Sequence, residues 1–425
     1  MAKAKKFGTF GGVFIPSILT LLGVIMYMRL PWITGQMGLW GTLAIIFVAH
    51  IVSGCTGLSV ASIATDKRVE TGGTYYIISR SLGLPIGGTL GWALFAGLSL
   101  SVSLYLIGFA EVFLGLLGME ATLDNIRIMG SIILFAVLVL TFISTSLTIK
   151  TQYIILTIMV LSILSIFLGR HDLHPAEPQV SAIPEALPWI TLFAIFFPAV
   201  TGFEAGVAMS GDLKDARKSI PRGTIMAILT ALVIYVGLTI FFSYTVDSSQ
   251  LVNDPNILFN TSLVPQLVMA GVLGATLSSA LGSILGAPRI LQAVANDRIA
   301  PSFLGKGFGA SNEPRNALIF TYMIAQAGIL IGELNAIARV VTIFFIITYG
   351  FLNITYTVES WASSDFRPSF KIPRIVSIIG ALACIILMIQ LDILALGIAA
   401  VILTALFLYL RKKELSLSTG DSRSS

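Results

Sequence analysis

The chain has 425 residues, of which 56% are hydrophobic and only 11% charged, and its mean hydropathy is +0.92, a balance that excludes an ordinary water-soluble domain. Its net charge of +5 sits mainly in short connections between apolar runs, as in a membrane protein that keeps Lys and Arg on its cytoplasmic side, so it gives no case for nucleic acid as a partner. Cys55 and Cys384 both fall inside apolar runs, which leaves neither a disulfide framework nor a cysteine zinc cluster.

A helix needs about 20 residues to cross the hydrocarbon core. Apolar runs of that order lie near 10–34, 39–63, 85–118, 127–146, 150–169, 188–210, 223–246, 264–290, 315–332, 336–358, 374–390 and 392–410. The pattern predicts an all-α integral membrane protein of about 12 transmembrane helices, with the lipid bilayer as its main partner. It divides into a cytoplasmic amino-terminal segment (1–9), a core of ten helices (10–360), a further helix pair (361–410) and a disordered cytoplasmic tail (411–425). With both termini in the cytoplasm, 22 of the 26 Lys and Arg fall in cytoplasmic connections or at their helix ends, leaving Arg29, Arg127, Arg170 and Arg339. That predicts a multi-pass protein of the cell membrane. The basic start resembles a signal peptide, but its apolar run is long, lacks a small-residue cleavage pattern and contains Arg29, so it reads as the first spanning helix. No soluble domain is expected beside the helices.

The first run carries Gly23 within SILTLLGVIMYMRL (17–30). Such a glycine either packs against a neighbouring helix or lets the helix open. An opened helix turns carbonyls of its first half toward a cation and amides of its second half toward an anion. Arg29 either snorkels to the surface or pairs within the membrane, where ionisable groups are functional by default. His50 shows no partner and reads as a satisfied core histidine. The connections at 64–80 and 211–222 hold enough charge for short surface helices. His171 and His174 read as a solvated loop, since no further ligands cluster nearby, and no transition-metal site is predicted.

Phe196 to Thr224 (FFPAVTGFEAGVAMSGDLKDARKSIPRGT) is the most informative stretch, because it sets a proline, glycines and Glu204 in a lipid-grade segment. An interrupted helix persists at membrane depth only where protein or a hydrated cavity receives the freed backbone groups. Two such segments in matching positions of two halves point to the binding site of a secondary transporter. Asn260-Thr261-Ser262 matches a glycosylation acceptor, relevant to a eukaryotic source. ATLSSAL at 275–281 puts Ala275, Ser278 and Ser279 on one helix face. Together with carbonyls of Leu19 and Leu22 they form a set of hard oxygen ligands suited to a small alkali cation; the alternative is close helix packing by small residues. The sequence offers no nucleophile–base pair or nucleotide loop, so no enzyme is expected.

From Phe7 to about Lys371 the chain resembles the cation-chloride cotransporters, a branch of the amino acid-polyamine-organocation superfamily. The resemblance is carried by GVIMYMRLPWITGQMG (23–38), GLSVASIATDKRVETGGTYYIISRSLG (57–83), YLIGFAE (105–111), the 196–224 stretch, ATLSSALGSILGAPRILQAVANDRIAP (275–301) and FFIITYGFLN (344–353). It implies a five-plus-five inverted-repeat (LeuT-like) core over 10–360 with helices one and six interrupted. It further implies a sodium site from Ala275, Ser278, Ser279 and the carbonyls of Leu19 and Leu22. Potassium-chloride members lack the hydroxyl pair, so the sodium-coupled branch is indicated. A potassium site would use Thr20, Tyr105, Thr201 and the carbonyls of Leu21 and Pro198. One chloride would rest on the amides of Gly23, Val24 and Ile25, and a second on those of Gly202, Phe203 and Glu204 with the Tyr349 hydroxyl. Read without the resemblance, Tyr105 and Tyr349 are ordinary packing residues. No cofactor is implied, only bound sodium, chloride and potassium; a homodimer stays open.

The resemblance also places an outer gate at Arg29 and Glu111. Arg29 follows Thr20 by nine residues and Glu111 follows Tyr105 by six, so at about 1.5 Å per residue both sit roughly 9 to 14 Å outward of the site. Two departures bear on the cargo. Thr20 stands where the family has asparagine, and Glu204 where it has an apolar side chain; a carboxylate beside a chloride disfavours the anion. Gly202-Phe203-Glu204 is similar to the Gly-x-Glu of relatives that carry amino acids and polyamines. Two cargoes are therefore expected: sodium with chloride and potassium, or sodium with a small amino acid or amine whose ammonium meets Glu204 or whose transport couples protons there.

Overall fold

The computed structural model describes residues 7–66, 72–143, 148–169, 181–208, 213–309, 312–363 and 365–391, with eight positions between 401 and 412. Most of the expected twelfth helix at 392–410, residues 1–6 of the amino-terminal segment, His171, His174 and the tail beyond 412 lie outside them. Backbone amides and carbonyls in hydrocarbon have to be paired within the segment. Among the described residues the chain accordingly forms helices and no strand, with two isolated bridges, Phe7 to Leu213 and Phe308 to Glu313. Nine helical runs among the described residues are long and apolar enough to cross a membrane, and two shorter apolar helices accompany them. The chain is a multi-pass membrane protein.

A π-helical turn at Phe10–Phe14 leads into α1 (Ile15–Leu21), with Pro16 in the first turn where its missing amide costs nothing. The helix ends at Leu22 (φ −81°, ψ 49°), passes Gly23 in extended conformation and restarts as α2 (Val24–Met28). The helix is thus open at Gly23, the position where sequence left opening and packing as alternatives. In α3 (Leu30–Asp66) the backbone turns sharply at Gly38, φ 66°, so residues up to Met37 extend the first crossing past the expected limit at 34 and Leu39 begins the second. A side chain at Gly38 would lie 2.4 Å from the Ser181 carbonyl oxygen. Gln36 holds the same segment, its carbonyl accepting from the Ile183 amide at 3.1 Å and its side chain from the Leu187 amide at 3.1 Å.

The charged connection at 64–80 contains α4 (Thr74–Leu82), followed by α5 (Leu84–Leu116), α6 (Leu123–Ile143) and α7 (Thr148–Phe167). The second break follows α8 (Trp189–Phe196). The chain tightens into a 3₁₀ turn at Phe197–Val200, extends at Thr201, turns at Gly202 with φ 94° and restarts as α9 (Glu204–Ala208). Residues 216–222, expected in a connection, belong to α10 (Ala216–Thr245), whose amino end is capped by the Asp215 carboxylate on the Lys218 amide at 3.3 Å. Two short helices, α11 (Ser248–Asn253) and α12 (Ile257–Thr261), fold the next connection. They are followed by α13 (Pro265–Asn296), α14 (Arg315–Ile331), α15 (Leu334–Ala362) and α16 (Arg374–Leu391). Both α13 and α15 outrun the apolar stretches expected at 264–290 and 336–358, since polar ends can continue a helix into water.

Burial sorts these helices. The broken segments α1, α2 and α8 are buried along almost their whole length, whereas α6 and α16 present rows of exposed apolar side chains, Ile128, Ile132 and Phe135 on one and Ile375, Leu382 and Ile386 on the other. The interrupted helices sit inside the bundle with continuous α5 and α15, while continuous α6 and α16 carry the exposed apolar faces, as the pairing rule for buried backbone allows. Around the breaks, α13 packs on α5 and α7, α10 on α3, and α15 on α5 and α16.

Candidate binding site at two facing helix breaks

Side-chain hydroxyls tie the two breaks to each other. Ser17 Oγ donates to the Phe203 carbonyl at 2.9 Å. Thr20 Oγ1 lies 2.8 Å from both the Ser17 and the Gly202 carbonyls and 3.2 Å from that of Pro16. It has one proton for three acceptors, so the expected cation ligand is held by backbone on both sides. Gly202 cannot be anything larger here: a Cβ would lie 2.8 Å from Thr20 Cβ, and its φ of 94° disfavours one. From a third helix, the Tyr235 hydroxyl donates to the Leu21 carbonyl and lies 2.9 Å from the Ala199 carbonyl.

The residues of the expected sodium set come together in part. Ser279 Oγ donates to the Leu19 carbonyl at 3.1 Å, bringing α13 against the end of α1. Ala275 and Ser279 are fully buried and Ser278 nearly so, on the same α13 face, while Leu22 marks the opening of the helix. The same contact also satisfies the packing alternative, so the hydroxyl serves both readings.

Of the set expected around potassium or an amine, Thr201 Oγ1 donates to the Pro198 carbonyl at 2.8 Å. Tyr105 reaches Gly23, its ring 3.6 Å from where a Cβ would stand. Both carboxylate oxygens of Glu204 are buried without a hydrogen-bond partner among the described residues, and so is the Tyr349 hydroxyl. The Tyr349 hydroxyl and the backbone at Gly202 and Glu204 still lie close enough to interact with the carboxylate, and Tyr105 is within its electrostatic reach. The Tyr349 ring is boxed by Phe203, Phe345 and Phe197 at centroid distances of 5.4, 5.7 and 6.1 Å. The amides of Gly23, Val24 and Ile25 open α2, and those of Gly202 and Phe203 open α9; amides in such positions lack helical acceptors. The carboxylate thus stands on the second expected anion position.

Arg29 and Glu111 meet, as their equal depth along two helices suggested, with Nη2 3.6 Å from Oε1. Arg29 is further fixed by Nε donating to Asn335 Oδ1 at 2.6 Å. Beyond this pair lies a cavity of about 290 Å³ lined by Trp32, Asp254, Phe259 and Leu251. On the other side of Thr20 the packing is looser: an added carbon at Gly286 would meet nothing within 4 Å, and at Gly282 only Thr20 Cγ2 at 3.9 Å. Past them, at the end of α13, Asp297 accepts from the Tyr75 hydroxyl at 2.6 Å and from both terminal nitrogens of Arg80 at 3.0 and 3.3 Å. That hydrogen bonding to Asp297 raises the Arg80 pKa above its ordinary value.

His50 corrects its expectation in part. Its Nδ1 donates to the Ile46 carbonyl at 2.8 Å, which leaves Nε2 an acceptor, buried and without a partner among the described residues. Its ring stands edge-on to Tyr235 at 5.7 Å. Among the described residues no group of His, Cys, Asp or Glu could hold a metal ion. Sequence reasoning missed Ser17, Tyr235 and Asn335. A serine, tyrosine or asparagine in an apolar helix has the same spacing signature whether it packs or binds, and the only general hint is that a buried tyrosine hydroxyl needs a partner.

A family profile described as "Amino acid permease" matches residues 12–421. Solute carrier family 12 member 2 of Mus musculus is 34% identical over 98% of this chain and 40% of its own length. Solute carrier family 12 member 1 of Homo sapiens is 34% identical over 99% and 44%. Solute carrier family 12 member 3 of Pseudopleuronectes americanus is 33% identical over 98% and 47%. The chain spans less than half the length of these relatives.

Proposed function

Since the chain belongs to the amino acid permease family, and is therefore a membrane transporter of the secondary class rather than an enzyme, we propose that it is a sodium-coupled symporter of a small amino acid or organic amine. The observation that carries this reading is Glu204, a carboxylate buried beside the second break whose two oxygens make no well-formed hydrogen bond, with only the Tyr349 hydroxyl and the backbone at Gly202 and Glu204 close by. An uncompensated buried charge is costly, and an incoming ammonium relieves it. The cargo ammonium would lie among Thr201, Tyr105 and Glu204, and its carboxylate on the amides of Gly23 to Ile25. Sodium would bind between the Leu19 and Leu22 carbonyls and Ala275, Ser278 and Ser279; the Ser279–Leu19 contact supports the approach this needs.

Both termini are cytoplasmic in this reading, which puts Arg29–Glu111 at the outer end and Asp297 at the inner end. The closed pair outside and the open space at Gly282 and Gly286 support an inward-facing arrangement. Transport then proceeds by alternating access in a five-plus-five inverted repeat, the segment from α1 into α3, with α8, α9 and α10, rocking against α5 to α7 and α13 to α14.

A second reading is sodium-coupled transport of chloride with potassium. It is favoured by alignment of 98% of the chain with a solute carrier family 12 member, and it requires Glu204 to be protonated or displaced. Thermal stabilisation of the purified protein separates the two, because a ligand that binds only the folded state raises its apparent stability. We expect sodium-dependent stabilisation by an amino acid or amine, lost in Glu204→Gln, and none by chloride over gluconate. Stabilisation by chloride and potassium alone would overturn the organic reading in favour of the ionic one.

A further inference from the structure

Tyr235 belongs to neither expected ligand set, yet it makes the contact that joins the breaks to the rest of the bundle. It sits on α10, is fully buried, and its one hydroxyl faces two backbone oxygens, Leu21 and Ala199. Leu21 is the last residue of α1, and Ala199 lies in the 3₁₀ turn that ends the other half-helix. Carbonyls at such ends have lost their helical donors and point into the gap. Leu21 is among the carbonyls expected around the cation position, and Ala199 directly follows Pro198, another of them.

A hydroxyl on serine or threonine follows the backbone it binds. The phenol of tyrosine has a fixed reach, and here the ring is wedged edge-on between Phe196 at 5.5 Å and His50 at 5.7 Å. The oxygen is therefore a rigid post anchored in a third helix, and two half-helices end on it. Recognition of a cation by carbonyls depends on their number and field strength and on how firmly they are held. A short ammonium and a bare alkali ion differ in both radius and directionality, so a fixed carbonyl spacing discriminates between them and a relaxed spacing does not.

We propose that Tyr235 is a positioning residue that sets cargo selectivity: its hydroxyl, braced by Phe196 and His50, holds the Leu21 and Ala199 carbonyls at one spacing across the two breaks. The inference rests on the reading that the breaks form the cargo site. Tyr235 bonds to neither the Leu19 and Leu22 carbonyls nor Ala275, Ser278 and Ser279 of the sodium set, so the sodium site serves as an internal control.

The experiment titrates thermal stabilisation of purified wild type, Tyr235→Phe and Phe196→Leu with rubidium, ammonium, methylammonium and alanine, each at fixed sodium, and then with sodium alone. The phenylalanine keeps the ring and removes one oxygen. In Tyr235→Phe the best probe needs about tenfold more for half the shift, and its preference over the next probe collapses, as loss of one well-placed hydrogen bond allows. The sodium midpoint stays within about twofold, since no sodium ligand is lost. Phe196→Leu leaves the hydroxyl but frees the ring and shows a smaller loss of preference, so the test survives if Tyr235→Phe does not fold. Parallel loss of sodium and cargo midpoints would make Tyr235 a structural residue and overturn the inference. Unchanged probe preference in the folded variants would also overturn it, while leaving the cargo site standing. If no probe stabilises the wild type, the cargo site itself is refuted and the inference with it.

Discussion

Gly202→Ala adds a single carbon at the tightest point between the two breaks. The carbon would lie 2.8 Å from Thr20 Cβ and 3.0 Å from its hydroxyl oxygen, and the residue would have to hold a φ of 94°. Backbone strain of this kind costs about 1–3 kcal/mol. Overpacking a filled site costs about 1–3 kcal/mol more. A total of about 2–6 kcal/mol is more than the contact can absorb, so α9 and α1 move apart and the Thr20–Gly202 hydrogen bond breaks. The assay pairs thermal unfolding in detergent with sodium-driven uptake in proteoliposomes. We expect a lower unfolding temperature and a cargo half-saturation raised at least about tenfold. Gly118→Ala is the control: φ there is 68°, but nothing lies within 4 Å of the added carbon. It should lose stability without any change in half-saturation. Half-saturation in Gly202→Ala equal to wild type would refute the claim that the facing breaks form the site.

Two further outcomes follow from the geometry. Ser278→Ala with Ser279→Ala should abolish sodium stimulation of uptake while the protein still folds; sodium-driven uptake at the wild-type level would remove these hydroxyls from the sodium site. Glu111→Gln keeps the shape of the Arg29 contact but discards its charge, and since both side chains are less than one-fifth exposed the loss should slow uptake about five- to tenfold. Uptake at the wild-type rate, with Arg29 still on Asn335, would reduce the pair to a surface contact.

The breaks were legible because their signal is compositional. Gly23, Pro198 and Gly202 stand out in runs that otherwise suit a lipid-facing helix, and burial of α1 and α8 follows from the same fact. The Arg29–Glu111 pairing came from the resemblance, and helix rise agreed with it by setting the two opposite charges at one depth. What stayed hidden depends on rotation about helix axes that no single segment determines. Whether Tyr235 points at lipid or at the breaks is set by how α10 lies on α3, and Asn335 meets Arg29 only once α15 is in place. Thr20 illustrates the limit from the other direction: its oxygen was rightly noticed, but the three carbonyls competing for its proton come from two segments far apart in sequence. Glu204 was noticed as an anomaly of charge, and only its environment showed the carboxylate to be buried beside Tyr349.

The separations of these contacts have a consequence for biogenesis. The opened end of α1 precedes its partners in the chain: the hydroxyls that bond its Leu21 and Leu19 carbonyls come 214 residues later at Tyr235 and 260 later at Ser279. During that interval the nascent segment cannot hold its native shape in lipid, because its freed backbone groups would have no donors or acceptors. It must enter the bilayer as a continuous helix, or wait in a sheltered hydrated space, and unwind only when the later helices arrive. In this protein the break is therefore a product of assembly, and a chain released before Ser279 is made would lack the contacts that keep its first helix open.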